Sequence, residues 1–304
     1  MTEPRKHTIT VLESPDWVDY QLLDSGNGKK LEIFGPHRVI RPEAEAVWQP
    51  SLNAKEWGAA AAEFVPSPEE NGGHWQSKTL KPGHEWTVGY KKLRFSLSLS
   101  NSKHLGIFPE QACQWDWVQD QIKKSGKPMR ILNLFGYTGA ITMAAAQAGA
   151  TVTHLDASKK AIQWAKKNQK LSNLNPERFR WIVDDGLKFV EREARRNSCY
   201  QGIILDPPKF GRGPKGEVWE FYRGLPALLA ACKRILADDA VFILLTAYAV
   251  KASSITIGQA LEEIIPAGAG ELECGEVCLR EQVGKRLLPM AVFGRWSKFG
   301  GGIE

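Results

Sequence analysis

The sequence predicts an α/β protein in which a small β-rich domain precedes a doubly wound sheet of mostly parallel strands. From about Lys127 onward, short apolar runs alternate with longer amphipathic segments, which is the pattern of repeated strand–helix units. The predicted strands are apolar almost throughout, as expected where helices cover both faces of a parallel sheet. The first hundred residues carry alternating runs and turn signals instead. We therefore divide the chain into a domain of residues 1–95 and a domain of residues 96–304.

The N-terminal domain is predicted from short extended runs. Two of them, YQLLDSG and KKLEIF, flank an Asn27-Gly28 turn signal, and a further turn is expected at Gly35-Pro36. A last run, RFSLSLS, alternates strictly between apolar and polar residues. The stretch between these runs is rich in Gly, Pro and Trp. Its tryptophans are more often core or lid residues than base-stacking platforms, although the second role stays open; they are Trp48, Trp57, Trp75 and Trp86.

The second domain alternates strands with helices. The first strand is MRILNLFGY, and its helix, GAITMAAAQAGA, is closed by Gly149. The strand TVTHLD leads into SKKAIQWAKKNQKLSNL, a helix with Ser158 as its N-cap. Then come the strand FRWIVDD, the helix GLKFVEREARR, the strand GIILDPP, the helix LPALLAACKRILADD and the strand AVFILLTAYA. No helix separates the last two runs, GELECGEVCLRE and LLPMAVFGRW, which predicts an antiparallel hairpin at one sheet edge.

Composition excludes several classes of protein. The 304 residues are 43% hydrophobic and 24% charged, as in an ordinary globular protein. No run approaches the ~20 apolar residues of a membrane span, and the N-terminus lacks the apolar core of a secretory signal. The five cysteines are scattered and odd in number, which favours a reducing cytoplasm over a disulfide framework.

The charge is unevenly distributed. Residues 1–100 hold 12 of the 40 basic and 13 of the 34 acidic side chains, so residues 101–304 hold 28 basic and 21 acidic ones, a balance of +7. Such an excess can attract a polyanion such as RNA, although a solvated face with surplus lysine explains it equally well.

Candidate site residues follow successive strands of the predicted sheet. Ligands of an open parallel sheet bind beyond the carboxyl ends of its strands. The first strand ends in NLFGYTGA, where Gly136 and Gly139 allow a tight turn and close approach to a ligand. The second ends in Asp156, 17 residues after Gly139, where a carboxylate can accept both hydroxyl hydrogens of a ribose. The third ends in Asp184-Asp185-Gly186, which offers a carboxylate to an exocyclic amine. Each feature alone is more often a plain turn or a helix cap, but three in succession favour a nucleoside site.

The glycine loop favours a nucleoside without phosphates. It contains neither the dinucleotide fingerprint G-x-G-x-x-G/A nor the phosphate loop G-x-x-x-x-G-K-[ST]. S-adenosylmethionine is such a nucleoside, and it matches a site that must hold a sugar, an adenine and a charged tail.

The fourth strand ends in a rigid corner, Asp206-Pro207-Pro208. Proline has a fixed φ and no N–H, so the carbonyls beside the two prolines are expected to be held rigid and to point outward. Fixed acceptors beside an incoming nucleophile suit methyl transfer, in which positioning supplies much of the lowering of the barrier. A plain strand terminator is the alternative, and the acid directly before two prolines makes it less attractive.

These motifs resemble a known family. The segments LNLFGYTGAITMAAAQAGATVTHLDASKKAIQWAKKN, VDDGLKF and LDPPKFGRG are similar to class I S-adenosylmethionine-dependent methyltransferases. They resemble in particular a bacterial branch with a DPPKF signature that includes large-subunit ribosomal RNA methyltransferases, over roughly residues 90–304, and SKHLGIFPEQACQWDW resembles that branch's lead-in segment. The resemblance implies a Rossmann-like, seven-stranded sheet with a reversed last strand.

The resemblance also implies roles for individual residues. Gly136 and Gly139 would shape the methionine pocket, Asp156 would bind the ribose and Asp185 would lie near the adenine. The full cofactor-binding set is then Gln111, Asn133, Phe135, Gly136, Tyr137, Thr138, Gly139, Asp156, Ala157, Asp185, Gly186 and Asp206. The catalytic set at the methyl group is Asp206, Pro207, Pro208 and Lys209.

The positions of the cysteines do not fit one reaction known in that branch, the methylation of cytosine at C5. Methylation of cytosine at C5 needs a cysteine thiolate, which in related enzymes follows the strand-four proline or the strand-five threonine. Here Lys209 follows Pro208, and Ala247 follows Thr246. We therefore expect N-methylation or another direct transfer. The C-x3-C pair on a predicted edge strand has no second pair to complete a zinc site, so no metal is expected, and the other cysteines are interpreted as packing residues; the five are Cys113, Cys199, Cys232, Cys274 and Cys278.

The expected substrate is RNA, most directly ribosomal RNA. Lys209, Arg212 and Lys215 would bind phosphates beside a target base splayed out of its stack. A methyltransferase acting on a protein or small molecule, and a cofactor-binding module without activity, stay open as alternatives. Among the histidines, His154 is predicted to be buried and structural. Three others are expected in loops near the cleft entrance, where any could act as a base: His74, His84 and His104.

Overall fold

A computed structural model describes residues 8–300 apart from 68–71, 82, 267 and 269. The N-terminal part is β-rich, as predicted. Its elements are β1 (Thr10–Glu13), β2 (Tyr20–Gly26), β3 (Lys29–Phe34), β4 (His37–Pro42), α1 (Ala54–Gly58), β5 (Ala62–Pro66), β6 (Gly73–Ser77), β7 (Glu85–Tyr90) and β8 (Leu93–Ser98). Strands β2 to β6 form one sheet in that order, and β7 pairs with β8. The predicted turn lies between β2 and β3, where Asn27 and Gly28 both have positive φ.

The second part alternates strands and helices. After a short 3-10 helix (Pro109–Gln111) come α2 (Ala112–Ser125), β9 (Arg130–Leu134), α3 (Ala140–Gln147), β10 (Thr151–Asp156), α4 (Lys159–Leu171), β11 (Phe179–Val183), α5 (Gly186–Arg195), β12 (Gly202–Leu205), β13 (Phe210–Arg212), β14 (Val218–Glu220), α6 (Phe221–Lys233), β15 (Phe242–Ala247), α7 (Ser254–Glu262), β16 (Glu271–Arg280) and β17 (Leu287–Ser297). The predicted alternation is confirmed. Helices α2 and α7 and the β13–β14 hairpin were not predicted.

The large sheet has the order β1-β16-β17-β15-β12-β9-β10-β11. Its strands are parallel except β17, which runs antiparallel to both β15 and β16, so the reversed last strand is confirmed. The sheet has eight strands because β1 adds to the expected seven by pairing in parallel with β16. The sequence predicts that the hairpin of β16 and β17 forms a sheet edge, and this prediction is wrong because β1 lies outside β16. The edge hydrogen-bonding groups of β16 are satisfied by a strand from the other end of the chain.

Both faces of this sheet are buried, which explains the nearly continuous apolar strands. Leu132, Ile203 and Leu245 belong to one core cluster, while their chain neighbours Ile131, Ile204 and Leu244 belong to another. Side chains of consecutive strand residues point to opposite faces, so a sheet covered by helices on both sides needs apolar residues throughout. No helix in the described ranges has the length and apolar character to cross a membrane.

The two parts of the chain share a core. The predicted boundary after residue 95 falls inside β8, whose Phe95 and Leu97 pack in one cluster with Trp115 and Met143. Strand β8 also meets α4, where the Trp164 indole N–H donates to the Ser96 carbonyl at 2.8 Å. The domain division stays a prediction.

Candidate active site

The loop after β9 has an unusual backbone. Phe135, Tyr137 and Gly139 all have left-handed conformations, with φ of 58°, 48° and 82°. Such conformations cost a non-glycine residue free energy and are concentrated at functional sites. Gly136 lies between the first two, and its N–H donates to the Leu155 carbonyl at 2.9 Å. A Cβ at Gly136 would lie 2.6 Å from His154 Nδ1, so only glycine fits there.

A buried polar network supports this loop from below. The Asn133 amide donates to Thr142 Oγ1 at 2.8 Å, and Thr142 Oγ1 lies 2.8 Å from His154 Nδ1. The Thr142 hydroxyl thus links the Asn133 amide to the His154 ring. Burial lowers the pKa of His154 to about 3, so its ring is neutral. His154 is a buried structural residue, as predicted.

Asp156 links the loop to the next strand. At the end of β10, its Oδ2 accepts the Tyr137 N–H at 2.8 Å and its Oδ1 accepts the Ser158 N–H at 2.7 Å. Burial nevertheless raises the pKa of Asp156, so these two hydrogen bonds do not fully replace water around the carboxylate. Each oxygen keeps a further lone pair for a ligand hydroxyl. Ala157 lies between these two contacts, beside the loop.

The end of β11 has a capping role. Asp185 is the N-cap of α5, and its Oδ1 accepts the Lys188 N–H at 2.9 Å. Asp184 forms an ion pair with Arg192. Gly186 lies against the loop, since a Cβ there would be 3.2 Å from the Phe135 ring.

The corner after β12 places one carboxylate in the cleft. Asp206 is half-buried, and Pro207 is buried, whereas Pro208 and Lys209 are exposed. Burial raises the pKa of Asp206 to about 7, with further contributions from the nearby Glu110 and Asp156. A carboxyl group with this pKa can hold or release a proton near neutral pH.

One carbonyl of the corner differs from the prediction. The Pro208 carbonyl accepts the Trp219 indole N–H at 2.7 Å, so it does not point outward toward a substrate. Trp219 is buried, and its ring packs at 5.1 Å on Phe135. The prediction was wrong for Pro208 because β14 folds back over the corner and supplies a donor. The same side chain ties the corner to the glycine loop.

A cleft of about 500 Å³, including its solvent-filled mouth, lies at the switch point between β9 and β12. Eight of the predicted residues line it: Gln111, Asn133, Phe135, Gly136, Tyr137, Thr138, Gly139 and Asp206. Asp156, Ala157, Asp185 and Gly186 are not among its lining residues. The lining that sequence reasoning missed is mainly apolar: Ile107, Phe108, Trp115, Ala140, Ile141, Ile204, Leu205, Leu244 and Thr246. Of these, Ile107 and Phe108 could have been found in the lead-in segment GIFPEQ.

Two polar residues near the cleft, Tyr248 and Glu110, were not predicted from the sequence. The Gln111 amide donates to the Tyr248 hydroxyl at 2.8 Å, and the Tyr248 ring lies 5.3 Å from that of Phe108. Glu110 is buried, with 2% of its surface exposed, and burial raises its pKa. Its charge interacts with both Tyr248 and Asp206. No strand-end rule points to Glu110, because it lies in the short 3-10 helix before α2.

The predicted basic residues lie together outside the cleft. Lys209, Arg212 and Lys215 are all exposed. The segment that carries them contains a two-stranded hairpin, in which Arg212 is opposite Val218. Phe210 on the same hairpin is 57% exposed.

The three histidines predicted near the cleft entrance, His74, His84 and His104, do not lie together. His74 lies in β6 rather than in a loop, and His84 stacks on Trp86 at 5.7 Å. Only His104 contacts the cleft lining, with its ring 4.9 Å from that of Phe108. Burial and the charges of Arg41 and neighbouring lysines lower the pKa of His104 to about 3. Within the described part of the chain, His, Cys, Asp and Glu form no group of three or more that could hold a metal ion.

Comparison with known proteins gives concordant results. A family described as S-adenosylmethionine-dependent methyltransferase matches residues 67–264. The crystal structure of an S-adenosylmethionine-dependent methyltransferase from Agrobacterium tumefaciens superposes with a TM-score of 0.91 and 41% identity, over 97% of this chain and 95% of that one.

Curated relatives are similar over part of their length. The ribosomal RNA large subunit methyltransferase K/L of Hahella chejuensis is 39% identical over 170 residues, which cover 55% of this chain and 22% of the relative. The ribosomal RNA large subunit methyltransferase K of Neisseria meningitidis is 24% identical over 225 residues, covering 71% of this chain and 62% of the relative. The chain thus spans between about one fifth and three fifths of the length of these two proteins.

Proposed function

The chain belongs to the S-adenosylmethionine-dependent methyltransferase family. From that premise we propose that it transfers a methyl group to RNA, and specifically to ribosomal RNA, without a covalent intermediate on the enzyme. The observation that carries the proposal is the adjacency of the glycine-loop cleft, which Asp206 lines, and an exposed basic hairpin whose first strand begins at Phe210, four residues after Asp206. A cytoplasmic location goes with that substrate.

The cleft fits the family's cofactor. When bound, S-adenosylmethionine supplies an electrophilic methyl group on a positively charged sulfur. The carboxylates of Asp206 and Asp156 and the nearby Glu110 make the site acidic, which suits a cationic nucleoside and opposes a phosphorylated one. We assign cofactor binding to the predicted set. Gly136 and Gly139 shape the backbone, Asp156 receives the ribose hydroxyls, and Asp185 with Gly186 lies toward the adenine.

Asp206 is the group best suited to take up a proton. A neutral amine that gains a methyl group becomes cationic and must lose a proton. A half-buried carboxylate with a pKa of about 7 can accept it at neutral pH. Burial of the carboxylate also places its negative charge beside the developing positive charge of the acceptor nitrogen. Lys209 is exposed, so its role is to bind the substrate rather than to move the proton.

The cysteines support direct transfer. Burial raises the pKa of Cys113 and Cys232 to about 12 and that of Cys278 to about 11, so these thiols stay protonated at neutral pH. The residues that line the cleft in the described part of the chain include no cysteine. A covalent cysteine intermediate therefore has no support at this site.

RNA is favoured as the acceptor by the hairpin. Lys209, Arg212 and Lys215 present three exposed cations on the segment that follows the cleft residue Asp206, and Phe210 adds an exposed aromatic ring. Cations bind the phosphates of a strand, and aromatic rings stack on its bases. The printed names of the curated relatives point to the same substrate class.

Methylation of ribosomal RNA is the direct test. Total ribosomal RNA from a strain that lacks the gene is incubated with the purified protein and S-adenosylmethionine, and modified nucleosides are mapped by mass spectrometry against wild-type RNA. We expect one methylated nucleoside to be restored. Turnover only with protein or small-molecule fractions would favour the second class of substrate, and binding of the cofactor with no turnover on any fraction would favour a module without activity.

A further inference from the structure

A cluster of three cations lies where the N-terminal sheet meets the lead-in segment. Arg41 is buried and holds Glu32 with two hydrogen bonds of 2.6 and 2.7 Å. Lys30 forms an ion pair with Glu43 at 3.1 Å. Lys103 is joined to them through its backbone, since Arg41 donates to the Lys103 carbonyl at 3.4 Å.

Lys103 differs from the other two cations. Its side chain is half-buried, and the ion pairs found among the described residues include none to Lys103. Burial lowers its pKa; attraction by Glu43, which is already paired with Lys30, opposes this change, and repulsion by Lys30 and Arg41 adds to it. The cluster therefore holds one cation more than the carboxylates that pair with it.

The surrounding groups do not remove this surplus. Glu110 faces the cluster from the 3-10 helix, where burial raises its pKa against the attraction of Lys30 and Arg41, and it forms no ion pair with these cations among the described residues. The Tyr20 hydroxyl binds Glu32 at 3.0 Å, and burial raises its pKa too. His104 adds no counter-charge, and its pKa of about 3 leaves it neutral. A half-buried cation without a counter-ion is costly, and an anion from a ligand would offset that cost.

The segment around Lys103 is held in place next to the cleft. The Trp75 indole N–H donates to the Ser102 carbonyl at 3.0 Å, and the His104 N–H donates to Ser102 Oγ at 3.2 Å. The hydroxyl of Thr138, in the glycine loop, donates to the Gly106 carbonyl at 2.6 Å. Lys103 is thus fixed relative to both the N-terminal sheet and the cofactor loop.

We propose that Lys103, supported by Lys30 and Arg41, binds a phosphodiester group of the acceptor strand close to the target nucleotide. The proposal rests on the proposed function and gives the N-terminal domain a role in it, since that domain supplies two of the three cations. The carboxylate of the cofactor is another possible anion. A phosphate is favoured because Lys103 and His104 do not line the cofactor cleft, whereas Phe108 and Gln111 do.

The test compares Lys103→Met with Lys170→Met as a matched control. Lys170 is an exposed lysine in the last turn of α4, a helix that runs back from the carboxyl end of β10 and so ends away from the cleft. Affinity for a fluorescent, unstructured 12-nucleotide RNA is measured by anisotropy at several KCl concentrations. Calorimetry gives the affinity for S-adenosylmethionine, and initial rates with ribosomal RNA give kcat and KM.

For Lys103→Met we expect the slope of log affinity against log salt to fall by about 0.7, the value for one phosphate contact on a single strand. The KM for RNA should rise about tenfold, while kcat and cofactor affinity stay within about twofold. Lys103→Arg should retain most of the binding, and Lys170→Met should match the wild type.

Three outcomes would overturn the proposal. In the first, Lys103→Met folds but its salt slope and its KM for RNA are unchanged, which would show that Lys103 does not contact a phosphate. Lys103→Gln provides the same measurement if the Met variant does not fold. A selective loss of cofactor affinity would place the cofactor carboxylate at Lys103 instead. If the wild type itself neither binds nor methylates RNA, both the proposed function and the phosphate site are wrong. If the wild type binds and methylates RNA but Lys103→Met behaves like the wild type, only the phosphate site is wrong.

Discussion

Replacing Asp206 by Asn should stabilise the fold at alkaline pH while reducing methyl transfer. Burial raises the pKa of Asp206 from an ordinary 3.8 to about 7. Below about pH 4 the carboxyl group is protonated in both the folded and the unfolded chain and contributes no cost. Between pH 4 and 7 only the unfolded chain releases the proton, so the free energy of unfolding falls as pH rises, and above pH 7 the full cost is present.

The magnitude follows from that rise in pKa. At about 1.4 kcal/mol for each pH unit, a rise from 3.8 to about 7 corresponds to about 4 kcal/mol as an upper limit. Because Asp206 is only half-buried and faces a solvent-filled cleft, we expect roughly half of this, about 2 kcal/mol. Asn keeps the shape of the side chain but cannot ionise, so its advantage should be near zero at pH 4 and close to its maximum at pH 8.

Urea unfolding of the protein without cofactor, at pH 4.5 and pH 8, measures this difference. Asp238→Asn, at an exposed position, is the matched control and should change stability little at either pH. In the same preparations, methylation by Asp206→Asn should fall about 10²-fold at pH 7.5 through the loss of a proton acceptor. The explanation is refuted if Asp206→Asn is no more stable than the wild type at pH 8, or if its advantage is the same at both pH values.

Three further sets of substitutions test the site. Gly136→Ala should lower cofactor affinity and cost about 2 kcal/mol or more of stability, because its Cβ would lie 2.6 Å from His154 Nδ1; calorimetry and thermal unfolding measure both, and unchanged affinity would contradict the close approach. Trp219→Phe keeps a ring against Phe135 but loses the hydrogen bond to the Pro208 carbonyl, so kcat should fall about tenfold with unchanged cofactor affinity; a normal kcat would leave Trp219 with a packing role only. Single Cys→Ala variants should each retain methylation, and one that folds, binds cofactor and is inactive would restore the covalent route; they replace Cys113, Cys199, Cys232, Cys274 and Cys278.

The sequence by itself determined the fold class and the position of the cleft. Apolar periodicity and caps depend on neighbouring residues, so the strands and helices from β9 to β15, apart from the β13–β14 hairpin, could be predicted in order. The carboxyl ends of parallel strands meet at one edge, and this rule was enough to bring Gly136 and Asp206 to one cleft. The hairpin of β16 and β17 was found for the same local reason, the absence of a helix between two extended runs.

Only the tertiary structure decided what completes the site. The Gln111–Tyr248 hydrogen bond joins residues 137 positions apart, and the Arg41–Lys103 contact joins residues 62 positions apart. No periodicity or turn rule relates such residues, because their contacts depend on how the N-terminal sheet and the lead-in segment pack on the large sheet. The same holds for β1, whose four residues find their partners in β16. The pKa of about 7 at Asp206 is likewise a property of packing, since it arises from burial and from the charge of Glu110, and neither is written in the residues beside it.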